Sequence, residues 1–183
     1  MSDFAAQQPT PLFASTMDML TDARAAVTNP RITNDEHGIL IAMAVALRAD
    51  CTRRRVGAVI VDVHGRIVGT GRNGAPAGRP GCLSAGACPR GLLTYEQVAP
   101  GSTYSAGAGS CIALHAEVNA CLYTDASDRR GGTIFVSDAP CDGCSNAIAG
   151  SGIARAVWPE RTESGWTIRS IDVATSPIGG NYA

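Results

Sequence analysis

The sequence predicts an α/β fold, a three-layer α/β/α domain on a mixed five-stranded sheet. Three observations carry that expectation. The β-branched run Val56-Gly-Ala-Val-Ile-Val-Asp62 is followed, across a His64-Gly65 turn, by Arg66-Ile-Val-Gly-Thr70, which reads as a β-hairpin. Beyond the hairpin, apolar strands alternate with helical segments, the order that lays helices on both faces of a sheet. A chain of 183 residues, 45% of them hydrophobic, is enough for one well-cored domain and short for two.

Residues 1–30 mix Gln, Pro, Thr and Ser around a short helix predicted from Asp18 to Val27, and read as an N-terminal extension to a domain at residues 31–183. Asn34 is expected to cap a helix running through Gly38 and the apolar stretch Ile39 to Leu47. After the hairpin, Arg72 to Ser110 is rich in Gly, Pro, Ala and Ser with little periodicity. A loop of that length in a compact domain is usually functional or pinned, and its cysteines suggest the pin. Helix resumes from about Ile112 to Tyr123. Thr133–Ser137 is the third strand, Cys141–Ala149 a helix ended by Gly150, Ala154–Trp158 the fourth strand, and Thr167–Val173 the fifth. There is no internal repeat.

Composition narrows the function classes. A formal net charge of -1 offers no basic footprint for a nucleic-acid polymer. No apolar run approaches the roughly 18 residues of a membrane span. Asp3 and the lack of a basic leader argue against a secretory signal, so a cytoplasmic protein is expected. In that reducing setting seven cysteines point to metal or catalysis rather than to disulfides.

Two motifs carry chemistry: His115-Ala-Glu117 and Pro140-Cys-Asp-Gly-Cys144. His115, Cys141 and Cys144 are candidate ligands of a catalytic zinc site, which takes three protein donors and leaves its fourth position to water. Glu117, beside the metal but not on it, is the candidate proton carrier. The Cys-x-x-Cys pair alone also fits a dithiol redox pair or half of a structural zinc site. Here it opens a helix after a strand, where backbone N–H groups and the helix dipole favour thiolates, and Pro140 sacrifices no needed donor there. His115 and Glu117 are two apart and would point to different faces in mid-helix. The pair therefore requires a helix N-terminus. Together the motifs resemble the His-x-Glu…Pro-Cys-x-x-Cys pattern of zinc deaminases of nucleobases.

Five stretches extend that resemblance: Cys51-Thr-Arg-Arg-Arg-Val-Gly-Ala-Val-Ile-Val61, Gly71-Arg-Asn-Gly-Ala-Pro76, Cys82…Cys88-Pro-Arg90, Cys111-Ile-Ala-Leu-His-Ala-Glu-Val-Asn-Ala120 and Pro140–Cys144. From about Asn34 to Trp158 the chain resembles the cytidine-deaminase-like superfamily, and within it the deoxycytidylate (dCMP) deaminases. The resemblance implies the cytidine-deaminase-like fold and zinc-dependent hydrolytic deamination of a cytosine nucleotide, dCMP to dUMP with release of ammonia. It implies that Glu117 carries a proton to ring N3 and then to the departing amine, and that backbone groups near Ala116 and Cys141 hydrogen-bond the ring. Asn73 would bond the sugar hydroxyl and Arg53 the phosphate, with Arg161 as a weaker second candidate. Trp158, at the end of its strand, fits a wall of the base pocket or the core equally well. Arg72 stands where relatives carry an aromatic.

Some members of that family also hold a second, structural zinc, and Cys51 and Cys82 match two of its ligands. Histidines that complete it elsewhere have no counterpart in Tyr104–Ser110; Cys88 and Cys111 are the candidate replacements. The other reading is that these are buried cysteines acting as small hydrophobes, as expected for Cys121. Partners implied by the resemblance are a small-molecule nucleotide and further copies of the chain, as a dimer or a hexamer. Relatives are often controlled by dCTP and dTTP near the turn that matches Gly71–Pro76. Three other functions stay open: deamination of a non-phosphorylated nucleoside, base or cytosine-bearing antibiotic; a non-catalytic zinc-binding regulator; and a dithiol redox protein. Arg53 favours a phosphorylated substrate, and Glu117 favours catalysis.

Overall fold

The computed structural model describes residues 10–25, 31–86, 88–98 and 109–173. The chain divides into two compact units, residues 1–32 and 33–183. Within the first unit lies helix α1, Pro11–Ala25. Thr10 Oγ1 accepts from the Phe13 N–H at 3.2 Å, and Pro11 occupies a first-turn position where its missing N–H costs nothing. These two residues start the helix well before the predicted Asp18. The predicted end, residues 26–27, lies outside the described residues.

The second unit is built on five strands: β1 Gly57–Val61, β2 Ile67–Arg72, β3 Thr133–Val136, β4 Arg155–Thr162 and β5 Gly165–Asp172. They form one sheet in the order β2-β1-β3-β4-β5. Only β3 and β4 are parallel; the other neighbours are antiparallel, so the sheet is mixed as expected. Four helices accompany it: α2 Asn34–Ala46, α3 Ala116–Leu122, α4 Ala126–Arg129 and α5 Asp142–Gly150.

Strand alternation divides the core into two layers. Val59, Phe135 and Val157 pack with Ile39 and Ala42 of α2. Their neighbours Ala58, Ile60, Ile134, Val136, Ala156 and Trp158 face the other way, onto Ala116 and Ala120 of α3 and Ile148 of α5. Successive strand residues point to opposite faces, so β1, β3 and the first half of β4 are buried and apolar on both faces. Gly57 lets the backbone of α2 approach β1: a Cβ there would collide with Ala42 O and Ala46 N.

Several boundaries differ from the sequence reading for physical reasons. The cap of α2 is Thr33, not Asn34; Thr33 Oγ1 accepts from Glu36 N at 3.2 Å and Glu36 Oε2 accepts from Thr33 N at 2.6 Å, a capping box. Helix α3 starts at Ala116 rather than Ile112, because Leu114 pairs with Gly74 in an isolated antiparallel bridge. The Arg72–Ser110 loop contains 3-10 turns at Arg90–Leu92 and Tyr95–Gln97; its residues 87 and 99–108 lie outside the described ones. Strands β4 and β5 continue as a long hairpin beyond the apolar stretch, held by cross-strand polar pairs such as Arg169 with Glu160 at 3.5 Å. Among the described residues no helix is long and apolar enough to cross a membrane.

Candidate active site

Both motifs sit at helix N-termini. His115 is the N-cap of α3 and Cys141 the N-cap of α5, each with extended backbone. Leu114 is fixed against the end of β2, where Leu114 N donates to Gly74 O at 2.9 Å and Gly74 N donates to Leu114 O at 3.2 Å. Asn119 Nδ2 donates to Arg72 O at 2.6 Å and ties the helix itself to the same strand end. On the other motif, Ser137 N donates to Gly57 O at 2.9 Å and Gly57 N to Ser137 Oγ at 3.0 Å, which anchors the turn leading to Cys141.

His115 Nδ1 lies 3.2 Å from Cys144 Sγ and 3.5 Å from Cys141 Sγ. All three donor atoms lie within 4.8 Å of one another, the one such group of three or more His, Cys, Asp or Glu found among the described residues. Tetrahedral zinc with Zn–N and Zn–S bonds near 2.1 and 2.3 Å separates N from S by about 3.6 Å. The observed spacing fits that edge. Two thiols and an imidazole are also the donor set that zinc prefers, and with three protein donors the fourth position stays open.

Charge supports the same conclusion. Burial pushes the Cys144 thiol far up, and nearby Glu117 and Cys141 push it further. A dication among these donors reverses that order and holds the thiols as thiolates. Glu117 is 4% exposed. Burial raises its carboxyl above the ordinary range; its own backbone N–H, Cys144 and His115 offset this in part. A carboxylic acid held in that way, against a ligand thiol, is suited to taking up and releasing a proton.

A cavity of about 520 Å³ opens over these groups. His115, Ala116, Glu117 and Cys141 line it with Arg53, Arg54, Arg90 and Asn73, and so do Cys51, Cys82, Cys88 and Cys111. The structure thus brings most of the expected residues to one space. Trp158 is instead 2% exposed within the core cluster that includes Ala116, and is not among the lining residues. Arg161 lies 5.3 Å above the Trp166 ring in the β4–β5 hairpin and does not line the cavity either.

Asn73 lines the cavity while also bracing the arginine loop. Its Oδ1 accepts from Val56 N at 2.8 Å and its Nδ2 donates to Arg54 O at 2.7 Å. Two further features escaped the sequence reading. Arg54 forms an ion pair with Asp138, three residues before Cys141, and Arg90 belongs to the cavity wall. Cys88-Pro-Arg90 was visible as a motif, but nothing local said which way it faces.

The four remaining cavity cysteines gather without reaching the spacing of the zinc ligands. Cys82 and Cys88 hydrogen-bond each other, with Cys51 and Cys111 near enough to act on Cys82. Burial pushes the Cys82 thiol up. At Cys88 burial also raises, but the N–H groups of Gly91 and Arg90, then Cys82 and Arg53, outweigh it and leave the thiol below its ordinary value. Cys121 is half-buried and packs against the core.

Comparison with known proteins agrees with this geometry. Residues 32–160 match the family described as the cytidine and deoxycytidylate deaminase zinc-binding region. The deoxycytidylate deaminase of Mycobacterium phage D29 is 50% identical over 129 residues, which cover 70% of this chain and 95% of that protein. The deoxycytidylate deaminase of Enterobacteria phage T4 is 33% identical over 157 residues, covering 69% of this chain and 79% of that one. Among solved structures, the apo dCMP deaminase from the cyanophage S-TIM5 superposes with a TM-score of 0.47 at 26% identity, covering 70% of this chain and 84% of that chain. The chain belongs to the cytidine and deoxycytidylate deaminase family, and His115, Cys141 and Cys144 stand where its zinc would be held.

Proposed function

We propose that this protein is a zinc-dependent hydrolase that deaminates dCMP to dUMP and ammonia. The observation that carries the reading is a buried acid, Glu117, beside a three-donor zinc site in a cavity that also presents arginines. The 50% identity to a deoxycytidylate deaminase supports the choice of nucleotide. His115, Cys141 and Cys144 would hold Zn²⁺, which would lower the pKa of water and so supply a nucleophile at neutral pH. Glu117 accepts one proton of the water and delivers it to N3 of the cytosine ring; as the C4 carbonyl forms it takes the remaining hydroxyl proton and passes it to the amine, which leaves as ammonia. Oxygen from water replaces nitrogen at C4, so dCMP and water give dUMP and ammonia. Backbone N–H groups at Ala116 and Cys141, which have no intrahelical partner at the helix N-termini, hydrogen-bond the ring. Arg53 grips the phosphate with its planar fork, and Asn73 reaches the sugar hydroxyl.

Steady-state assays on dCMP, deoxycytidine, CMP and a blasticidin-type substrate test the reading. A preference for dCMP is expected. Turnover of a neutral substrate with none of dCMP would overturn the specificity. A redox dithiol would instead purify without zinc.

The same reading takes residues 31–183 as the catalytic domain and residues 1–30 as an extension; the family match over residues 32–160 supports this division. Cys51, Cys82, Cys88 and Cys111 are assigned to a second, structural Zn²⁺, supported by their lining the same cavity with the other three close enough to act on Cys82. A homo-oligomer, a dimer or a hexamer, is supported by the exposed apolar stripe Leu40, Met43 and Leu47 along α2. Analytical ultracentrifugation that finds a monomer would refute it. Seven unpaired thiols support a cytoplasmic location.

A further inference from the structure

The turn that delivers Cys141 to the metal site has little polar hold on the rest of the protein. It leaves β3 at Ser137, which is fixed by its two hydrogen bonds with Gly57. Beyond Ser137, Pro140 has no N–H, and the Ala139 N–H donates to Asp138 Oδ1 at 3.0 Å, inside the turn itself. Among the described residues, the one polar tie from residues 138–140 to another segment is the ion pair of Asp138 Oδ2 with Arg54 Nη2. The two thiols also differ in what else holds them. Cys144 is buried within α5, whereas Cys141 is exposed at its N-cap and depends on the turn for its place.

Arg54 is itself held in place. Its carbonyl oxygen accepts from Asn73 Nδ2 at 2.7 Å, and Asn73 Oδ1 accepts from Val56 N at 2.8 Å. A chain of contacts therefore runs from Asn73, just after β2, through Arg54, just before β1, to Asp138, just after β3. All three residues line the active-site cavity, and the Asp138 charge is close enough to act on Glu117. The Arg54 side chain is 67% exposed and that of Asp138 31%, and an ion pair so exposed adds little to global stability. Its consequence is local. One carboxylate oxygen shapes the turn, and the other fixes where the turn sits.

We propose that Arg54 and Asp138 are positioning residues, a latch on the turn that carries Cys141, and that they hold its thiol where Zn²⁺ needs it. Neither is a donor to the metal. Groups that orient a ligand tune metal affinity without binding the ion, and a partly exposed pair does so by a modest factor. The inference rests on the zinc reading of His115, Cys141 and Cys144, and adds how the exposed thiol of that set is held.

The test compares the full-length protein with its Asp138→Asn, Arg54→Gln and Arg54→Lys variants and with the Arg54→Gln/Asp138→Asn double variant. Asp138→Asn keeps an oxygen for the Ala139 N–H and loses only the charge. Zinc affinity is read by competition with a chromophoric chelator, and the Cys141→Ser protein marks which release belongs to this site. Asp138→Asn and Arg54→Gln should each weaken zinc binding by about threefold to tenfold. The double variant should lose no more than either alone, and Arg54→Lys, which keeps the charge, should lie between Arg54→Gln and wild type. Salt at about 1 M, where the Debye length falls to about 3 Å, should narrow the gap between wild type and Asp138→Asn. Zinc affinity of Asp138→Asn within about twofold of wild type, or additive losses in the double variant, overturns the latch. So does an Arg54→Gln protein whose KM for dCMP rises while its zinc affinity is intact, because Arg54 would then be a substrate contact. A wild-type protein that holds no zinc overturns the zinc reading, and this inference with it.

Discussion

Gly71 of β2 lies directly against the first turn of α3: a Cβ at Gly71 would fall on the Ala116 carbonyl oxygen and the Ala120 N. Both obstacles are helix backbone, so no side-chain rotation can make room. Gly71→Ala should therefore push α3 off the sheet, at a cost of about 1–3 kcal/mol. Because α3 begins with His115 and Ala116 and carries Glu117, deamination should fall as well. Gly150→Ala, where a Cβ would meet nothing within 4 Å, is the control. Urea unfolding of the two variants decides; a Gly71→Ala protein as stable as wild type would show that the helix is not held so closely.

Glu117 is buried and has few competing partners, so its role can be tested cleanly. Glu117→Gln keeps size and shape but removes the exchangeable proton. The turnover number should drop about 10²–10⁴-fold, the usual contribution of a general acid–base group. Zinc should stay bound, since Glu117 is not among the three donors. Ammonia release measured beside elemental analysis separates the two effects, and turnover within tenfold of wild type would remove Glu117 from the mechanism.

Removing metal should do more than stop the reaction. Three donors from two helix N-termini, α3 and α5, are brought together at His115, Cys141 and Cys144, and a ligand that binds only the folded state stabilises it, by about 4 kcal/mol at a thousandfold excess over Kd. Chelation should lower the unfolding midpoint and abolish activity, and added Zn²⁺ should restore both. The same preparation gives the count of zinc per chain. Two ions, with one lost on Cys88→Ser, support the four-cysteine site, whereas a single ion lost only on Cys141→Ser rules it out.

Which parts of this site could be read in the sequence follows from range. His115, Glu117, Cys141 and Cys144 declare themselves because ligand spacing and helix-end chemistry are local. The two-layer core was legible for a similar reason: β1, β3 and the start of β4 read as uninterrupted apolar runs, the pattern of strands covered on both faces. Long-range pairings were not legible. The start of α3 was misplaced because Leu114 is claimed by Gly74, a partner in another segment. The Arg54 ion pair could not be foreseen because Asp138, its partner, belongs to the turn before Cys141. Trp158 at a strand end fitted a pocket wall and the core equally; only the pleat decides, turning it into the core with Ala116.

Asn73 illustrates a residue with two demands on it. Its amide accepts from Val56 N and donates to Arg54 O, so it fixes the loop that carries Arg53. Asn73→Ala leaves both backbone groups without that partner and should cost about 1–3 kcal/mol. Asn73→Asp keeps the acceptor and loses the donor, so it should fall between. In both variants KM for dCMP should rise more than kcat falls if, as proposed, the loop serves phosphate binding rather than proton transfer. A pure kcat effect would contradict that assignment.

Asp62, at the end of β1, gives the hairpin a pH dependence with a definite sign. Its Oδ1 accepts from Arg66 N at 2.9 Å and from His64 N at 2.8 Å, and its Oδ2 accepts from Arg66 Nε at 2.7 Å. The Arg66 backbone N–H is the largest influence; burial opposes it, and the Arg66 guanidinium and the His64 N–H add to it, leaving the carboxyl at about 2. A depressed carboxylate stabilises the fold fully above its unfolded value, near 3.8, and loses that contribution as pH falls through about 2. Wild type should thus be more stable than Asp62→Asn at pH 6, and the gap should close between about pH 4 and pH 2. Other carboxylates titrate in both proteins and cancel in the difference. Urea unfolding of the pair across pH 2–6 measures the gap directly, and a gap that stays constant over that window would mean that Asp62 does not hold the turn through its charge.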